Sequence, residues 1–143
     1  IIGQVLVYPG LGGDRNRGSY ITHSNAPMLT LADVKFYEGV RFADRIAPDA
    51  DPSSSPLKDR NFSGLPPTLV LGAECDPLCD DGFHYCQAIR DAGGLAHFQV
   101  EKGLVHGYLR ARHSVDRARE SFARLTGGIA ALGQGEFPWR VVL

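Results

Sequence analysis

The chain has 143 residues and a mass of 15.5 kDa, which suits one domain and is too short for two ordinary ones. Hydrophobic residues make up 43% of the sequence and charged residues 22%, and these fractions exclude a disordered chain and a fibrous repeat. The net charge is −1 and the apolar runs are short, so we expect neither nucleic acid nor a membrane as a partner.

The chain opens inside or just before a predicted buried strand. Gln4 to Tyr8 is a nearly continuous apolar run closed by Pro9-Gly10, which is typical of a strand buried on both faces of a parallel sheet. Natural N-termini usually lie at the surface, and no methionine precedes Ile1. We therefore expect residues 1–143 to be the C-terminal piece of a longer protein.

The next part of the chain is mostly loop, with one predicted helix. Residues 10–25 are rich in glycine and polar residues, which indicates a loop. A helix is predicted from Leu31 to about Asp44, because Thr30 to Asp33 resembles a capping box. Its buried positions are expected to be Val34, Tyr37 and Val40. Residues 47–67 hold five of the nine prolines and are predicted to be irregular.

A second apolar strand is predicted at 68–73, followed by a helix from about Asp80 to Ala92 that ends at Gly93-Gly94. Residues 96–101 alternate between apolar and polar side chains, which indicates a half-exposed strand at or near a sheet edge. Residues 102–108 are predicted to form a loop.

The clearest predicted helix is the last one, whose apolar residues recur at alternating spacings of three and four. They are Val115, Ala118, Phe122, Leu125, Ile129 and Leu132. Its other face carries charged side chains that we expect to be solvated: Arg117, Arg119, Glu120 and Arg124. Strands and helices alternate along the chain, so the predicted class is α/β, with three parallel strands and flanking helices.

Two titratable residues lie beyond the carboxyl ends of consecutive predicted strands. Asp76 follows the strand at 68–73, and His106 follows the strand at 96–101. Reactive groups of open parallel sheets gather at this edge, so the two side chains are expected to meet. A carboxylate on one imidazole nitrogen leaves the other free to deprotonate a nucleophile. Taken singly, each residue has an ordinary alternative, a turn-forming Asp and a His that satisfies a hydrogen bond.

Four segments together carry a resemblance to a known family: Gln4 to Pro9, Ser63 to Leu71, Asp76 to Gly82 and His106 to Tyr108. Over residues 1 to about 132, the sequence resembles the C-terminal half of hormone-sensitive-lipase-like carboxylesterases, which are bacterial α/β-hydrolases. The resemblance implies that 1–143 is the C-terminal part of one α/β-hydrolase catalytic domain that hydrolyses small esters. By it, Asp76 matches the acid and His106 the base of a catalytic triad, and no cofactor is expected.

Two parts of that family's machinery are missing from this sequence. It contains neither the Gly-x-Ser-x-Gly nucleophile elbow nor a His-Gly-Gly-Gly-type oxyanion segment. The family's chain order places both before Ile1, in the remaining N-terminal half, so no nucleophile is expected here. The chain alone is predicted to be inactive. The resemblance also implies a homodimer through the strand at 96–101.

Two alternatives remain beside the esterase hypothesis. The plant gibberellin receptors resemble this family but lack a working His at the base position, so a non-catalytic small-molecule receptor is the first. The second is a zinc site, because four potential ligands lie close together: Cys75, Cys79, His84 and Cys86. Their spacing fits no Cys-x-x-Cys pair, and we expect no metal.

Three cysteines cannot all pair with one another, and this favours a reducing, cytoplasmic location. The residues beside the two strand-end positions are expected to line a cleft: Leu78, Val105 and Tyr108.

Overall fold

A computed structural model describes residues 1–42 and 51–139 of the chain. Three strands form one parallel sheet in the order β1 (Gln4–Val7), β2 (Thr68–Cys75) and β3 (Ala96–Val105). The predicted α/β class and the three parallel strands are therefore confirmed. β2 and β3 run two and four residues beyond their predicted ends, and β1 stops one residue early.

Four helices accompany the sheet in the described residues: α1 (Ser19–Thr22), α2 (Leu31–Phe42), α3 (Cys79–Asp91) and α4 (Asp116–Gly133). Single 3₁₀ turns occur at Pro56–Lys58 and Tyr108–Ala111. α1 lies inside the predicted loop at 10–25, and the described part of the predicted irregular segment, 51–67, contains only the first 3₁₀ turn. No helix in 1–42 or 51–139 is long and apolar enough to cross a membrane.

The central strand β2 is buried on both faces, as its unbroken apolar run predicts. Leu69 and Leu71 point to one face, where they pack with Leu132 of α4. Val70 points to the other face and packs with Cys86 and Ile89 of α3. The sheet is thus sandwiched between α3 and α4, and its carboxyl edge lies where the two candidate residues follow β2 and β3.

α4 contacts the sheet through part of the predicted apolar face, since Ala118 and Leu132 are buried and Leu125 packs beside Leu132. Three residues of the predicted apolar face are substantially exposed: Val115 at 42%, Phe122 at 37% and Ile129 at 55%. The helix also buries Ser121 and Gly128, which are not part of the predicted face. Small residues let the helix approach closely, since a Cβ on Gly128 would lie 2.4 Å from Leu69 Cδ2. The apolar pattern missed Ser121 and Gly128 because serine and glycine contribute little to a count of apolar residues.

α2 begins as predicted but buries less of its surface. Thr30 and Asp33 form a reciprocal cap, with the Thr30 N–H donating to Asp33 Oδ2 at 2.8 Å and the Asp33 N–H donating to Thr30 Oγ1 at 3.1 Å. Val34 is buried, whereas Tyr37 and Val40 are more than 60% exposed, so their predicted burial is wrong. Only the Val34 side of the helix faces other described residues. The predicted end near Asp44 lies outside the described residues.

β3 is an edge strand, as predicted, because within the described part of the chain it pairs only with β2. The predicted exposure of Glu101 is wrong, since this residue is 2% exposed. Arg124 of α4 donates to both of its carboxylate oxygens, with Nε–Oε1 at 3.0 Å and Nη2–Oε2 at 2.5 Å. The bidentate contact explains how a carboxylate is buried here and why Arg124 is not simply solvated.

Candidate active site

The register of β2 and β3 places the two strand-end residues side by side. Cys75 of β2 lies opposite Val105 of β3, so the residues that follow them, Asp76 and His106, leave the sheet as neighbours. Ala73 lies opposite Glu101, so two steps along β2 match four steps along β3. A bulge in β3 accommodates these two extra residues and so places His106 beside Asp76.

The bulge is held by the side chain of Glu74. Its carboxylate accepts a hydrogen bond from Lys102 Nζ at 2.7 Å and one from the Gly103 N–H at 2.8 Å. Both bonds hold the pKa of the Glu74 carboxyl below its usual value, and the bond from Lys102 has the larger effect. Gly103 has a φ of +68°, and a Cβ there would lie 2.3 Å from Arg117 Nη1, so a side chain cannot be accommodated without rearrangement.

Asp76 and His106 form a direct hydrogen bond, with 2.8 Å between Oδ2 and Nδ1. The Asp76 side chain is fully buried, and its other oxygen accepts the Leu78 N–H at 2.9 Å. Because the carboxylate accepts, Nδ1 of the imidazole is the donor and Nε2 is left as an acceptor. The His106 side chain is 27% exposed and lines a cavity. The contact expected from the strand ends is therefore present.

Tyr8 supports the imidazole from the end of β1. Its ring centroid lies 4.7 Å from that of His106 and 5.2 Å from that of Tyr108, which meets it edge-on. Tyr108 is fixed in turn by a hydrogen bond between its hydroxyl and Ser121 Oγ at 2.7 Å. Tyr8 has a φ of +38°, a costly conformation for a residue with a side chain. Sequence reasoning missed this residue, and its only signal was an aromatic ring directly before Pro9.

A cavity of about 470 Å³ opens beside His106. Residues from the loop at 10–29, from α2 and from 54–55 line it, together with Leu78 and Arg110. Its rim carries an ion pair between Arg15 of the loop and Glu38 of α2. Leu78 lines the cavity as expected, whereas Val105 and Tyr108 do not. The lining combines apolar and aromatic side chains with charged ones, among them Arg41 and Arg110, and a cavity of this size beside a general-base candidate can hold a small molecule.

Asp81, in the first turn of α3, is a second buried carboxylate near the cavity and is 1% exposed. Its Oδ2 accepts hydrogen bonds from the Leu11 N–H, the Gly13 N–H and the Tyr20 hydroxyl. Burial raises the pKa of the Asp81 carboxyl, although these bonds act in the opposite direction. Sequence reasoning did not single out Asp81, because an acidic residue at a helix start ordinarily complements the helix dipole.

The cysteines form no site among the described residues. Cys75, Cys79 and Cys86 are free thiols, and no three His, Cys, Asp or Glu side chains in 1–42 and 51–139 converge to hold a metal ion. Cys86 is fully buried in the core beneath α3. The zinc alternative therefore has no support from the described geometry.

Burial raises the pKa of the Cys79 and Cys86 thiols to about 12. At pH 8 we expect both to react with Ellman's reagent about three orders of magnitude more slowly than a free thiol, because so little thiolate is present. Denaturation in guanidinium should release both at the normal rate. Rapid labelling of Cys79 or Cys86 in the native protein, identified by peptide mapping, would contradict the described burial.

Comparison with known proteins identifies the fold family. A family model described as alpha/beta hydrolase fold matches residues 1–110. The chain belongs to the α/β-hydrolase family. A solved esterase from Pyrobaculum calidifontis superposes on 92% of this chain and 43% of its own, with a TM-score of 0.81 and 28% identity. This α/β-hydrolase chain therefore shares the fold of about two fifths of that esterase.

Curated relatives are similar over most of this chain but only part of their own. The carboxylic ester hydrolase LipN of Mycobacterium tuberculosis is 34% identical over 74% of this chain and 28% of its own length. The ethyl acetate hydrolase of Pseudomonas putida is 31% identical over 82% of this chain and 36% of its own. The chain thus spans about a third of the length of these two relatives, both of which are named as ester hydrolases.

Proposed function

We propose that residues 1–143 are the C-terminal part of the catalytic domain of a hormone-sensitive-lipase-like carboxylesterase that hydrolyses small esters. In this proposal Asp76 is the acid and His106 the base of a Ser-His-Asp triad. The observation that carries it is the Asp76–His106 hydrogen bond beside the cavity. The ester hydrolases among the relatives support the choice of substrate class.

The proposed reaction proceeds through an acyl-enzyme. A serine from the rest of the protein attacks the ester carbonyl, and its proton passes to Nε2 of His106. His106 then donates this proton to the departing alcohol as the ester C–O bond breaks. A water molecule, deprotonated by the same nitrogen, hydrolyses the acyl-serine. Asp76 holds Nδ1–H throughout, and its second oxygen is kept in place by the Leu78 N–H. The scheme uses no cofactor.

The remaining half of the same protein is the proposed partner of this chain, and it would supply the nucleophile and the oxyanion donors. Within the described residues β1 pairs only with β2, so one of its edges is open. Large apolar side chains are also exposed on α1, on α2 and between them: Ile21, Met28, Phe36, Tyr37 and Val40. Surfaces of this kind are normally covered. The chain alone is expected to be inactive.

A fluorophosphonate probe tests the proposed activity in the full-length protein. We expect a stoichiometric covalent adduct on one serine, accompanied by hydrolysis of a short-chain nitrophenyl ester. Residues 1–143 expressed alone serve as the matched control and should give no adduct. Absence of an adduct on the full-length protein would contradict the esterase proposal and would favour a non-catalytic receptor.

A homodimer through β3 is proposed because this strand is the sheet edge in the described chain. Residues 96–101 provide backbone groups that a second copy of the strand could pair with. Light scattering of the full-length protein should give twice the monomer mass. A monomeric mass at micromolar concentration would contradict this part of the proposal.

A further inference from the structure

The segment from Leu11 to Tyr20 forms one wall of the cavity but has little structure of its own. Gly12, Arg15 and Tyr20 line the cavity, and the only regular element in the segment is the start of the four-residue helix α1. No strand in the described residues pairs with it. Its shape must therefore depend on contacts with other parts of the molecule.

Asp81 supplies three of these contacts from a single buried oxygen. Its Oδ2 lies 2.7 Å from the Leu11 nitrogen, 3.3 Å from the Gly13 nitrogen and 3.0 Å from the Tyr20 hydroxyl. Within the described residues no lysine, arginine or histidine forms an ion pair with Asp81. The hydrogen bonds that compensate the burial of the Asp81 carboxylate come from residues 11–20, the wall segment. The buried carboxylate and the wall segment therefore stabilise each other.

Ser19 ties the same segment to the turn that follows Asp76. Its N–H donates to Asp80 Oδ2 at 2.8 Å, its hydroxyl donates to the Pro77 carbonyl at 2.7 Å, and that hydroxyl accepts the Asp80 N–H at 3.0 Å. The cavity wall is thus attached to the short stretch of chain that carries the candidate acid.

The close approach depends on two glycines. A Cβ on Gly13 would lie 2.1 Å from Asp81 Oδ1, and a Cβ on Gly18 would lie 2.1 Å from Asp80 Oδ2. Gly18 also has a φ of +57°. Neither position accepts a side chain without moving the carboxylate, so the segment and the start of α3 are fitted to one another.

We propose that Asp81 is a positioning residue that fixes the Leu11–Tyr20 segment as a wall of the substrate cavity and so sets substrate affinity. The inference rests on the proposed esterase function. Asp81 does not contact Asp76 or His106 through its hydrogen bonds, so its removal should loosen the wall and leave the chemical step nearly intact.

The test compares Asp81→Asn and Tyr20→Phe with the parent full-length protein, and uses Asp91→Asn as a matched control. Asp91 is an exposed acid on the same helix. For a nitrophenyl butyrate substrate, we expect KM to rise about tenfold in Asp81→Asn and about threefold in Tyr20→Phe, with kcat within about twofold of the parent, because bonds to a charged group are lost only from the wall. Asp91→Asn should match the parent.

Limited trypsin digestion gives a readout that does not need activity. Arg15 and Arg17 lie within the wall segment, and cleavage there should be about tenfold faster in Asp81→Asn than in the parent or Asp91→Asn, because local opening becomes easier. Unchanged KM and unchanged cleavage in both variants would overturn the inference. So would a loss of kcat at constant KM. If Asp81→Asn does not fold, the result for Tyr20→Phe decides the test. If the parent protein has no esterase activity, the digestion rates decide it.

Discussion

Replacing His106 with alanine in the full-length protein is expected to reduce kcat for a short-chain nitrophenyl ester by about 10⁴-fold or more, because a triad without its base retains only oxyanion and binding contributions. KM should change little, since one partly exposed side chain among many cavity residues is removed. Initial rates over a range of substrate concentrations would measure both parameters.

A matched control separates the loss of the base from general damage. His113 is exposed and lies in the turn before α4, so His113→Ala should keep the parent rate. His106→Ala should remain folded with a melting temperature lowered by several degrees, because it loses the ring contact with Tyr8 and one hydrogen bond to the buried Asp76, whose other oxygen keeps the Leu78 N–H. Retention of more than about a tenth of the parent kcat by a folded His106→Ala protein would contradict the assignment of His106 as the base.

Replacing Asp76 with asparagine is expected to reduce kcat by about 10³-fold to 10⁴-fold while the fold persists. The Leu78 N–H needs an acceptor, so the amide oxygen should turn towards it and the amide NH₂ group should face His106. Nδ1 would then have to accept, which places the imidazole proton on Nε2. In that tautomer His106 cannot take the proton of a nucleophile.

The same substitution at Asp91 provides the control, because Asp91 is exposed and its carboxylate accepts a hydrogen bond from Gln87 on its own helix. Asp91→Asn should leave kcat and KM unchanged. A rise in pH should not restore Asp76→Asn to the parent rate, since the defect is in the tautomer. Activity of Asp76→Asn within about tenfold of the parent would show that Asp76 has only a structural role.

The sequence was sufficient to place the candidate pair because topology fixes it. An apolar run as short as 68–73 is typical of a strand covered on both faces, and the parallel order puts the ends of β2 and β3 at one edge. Asp76 and His106 are 30 positions apart in the sequence, yet their contact is expected because both follow their strands at the same edge of the sheet. This kind of prediction needs strand order and direction but no side-chain detail.

The bulge that completes the contact could not be predicted in the same way. The alternation of apolar and polar residues stops at Lys102 and Gly103, and the sequence therefore predicts that β3 ends at Glu101. In the structure the Glu74 carboxylate replaces the missing backbone pairing, and the strand resumes to Val105. A hydrogen bond from a side chain 29 positions away leaves no periodic signal in the sequence.

The other differences arise where small or polar residues make the contacts. The buried face of α4 includes Ser121 and Gly128, which a pattern of large apolar residues does not count. Glu101 is buried because Arg124 reaches it, and Asp81 is buried because a glycine-containing loop wraps over it. Each case depends on the partner in space, so burial of these polar groups becomes visible only once the elements are assembled.

The central claim is that Asp76 acts on the reaction only through His106, and a double-mutant cycle on kcat/KM tests it most directly. The full-length protein, Asp76→Asn, His106→Ala and the double variant would be assayed with one nitrophenyl ester under identical conditions. We expect the double variant to be no slower than His106→Ala, since removing the base makes its orienting partner irrelevant. A double variant slowed by the product of the two single effects would show that the residues act independently and would contradict the proposed triad.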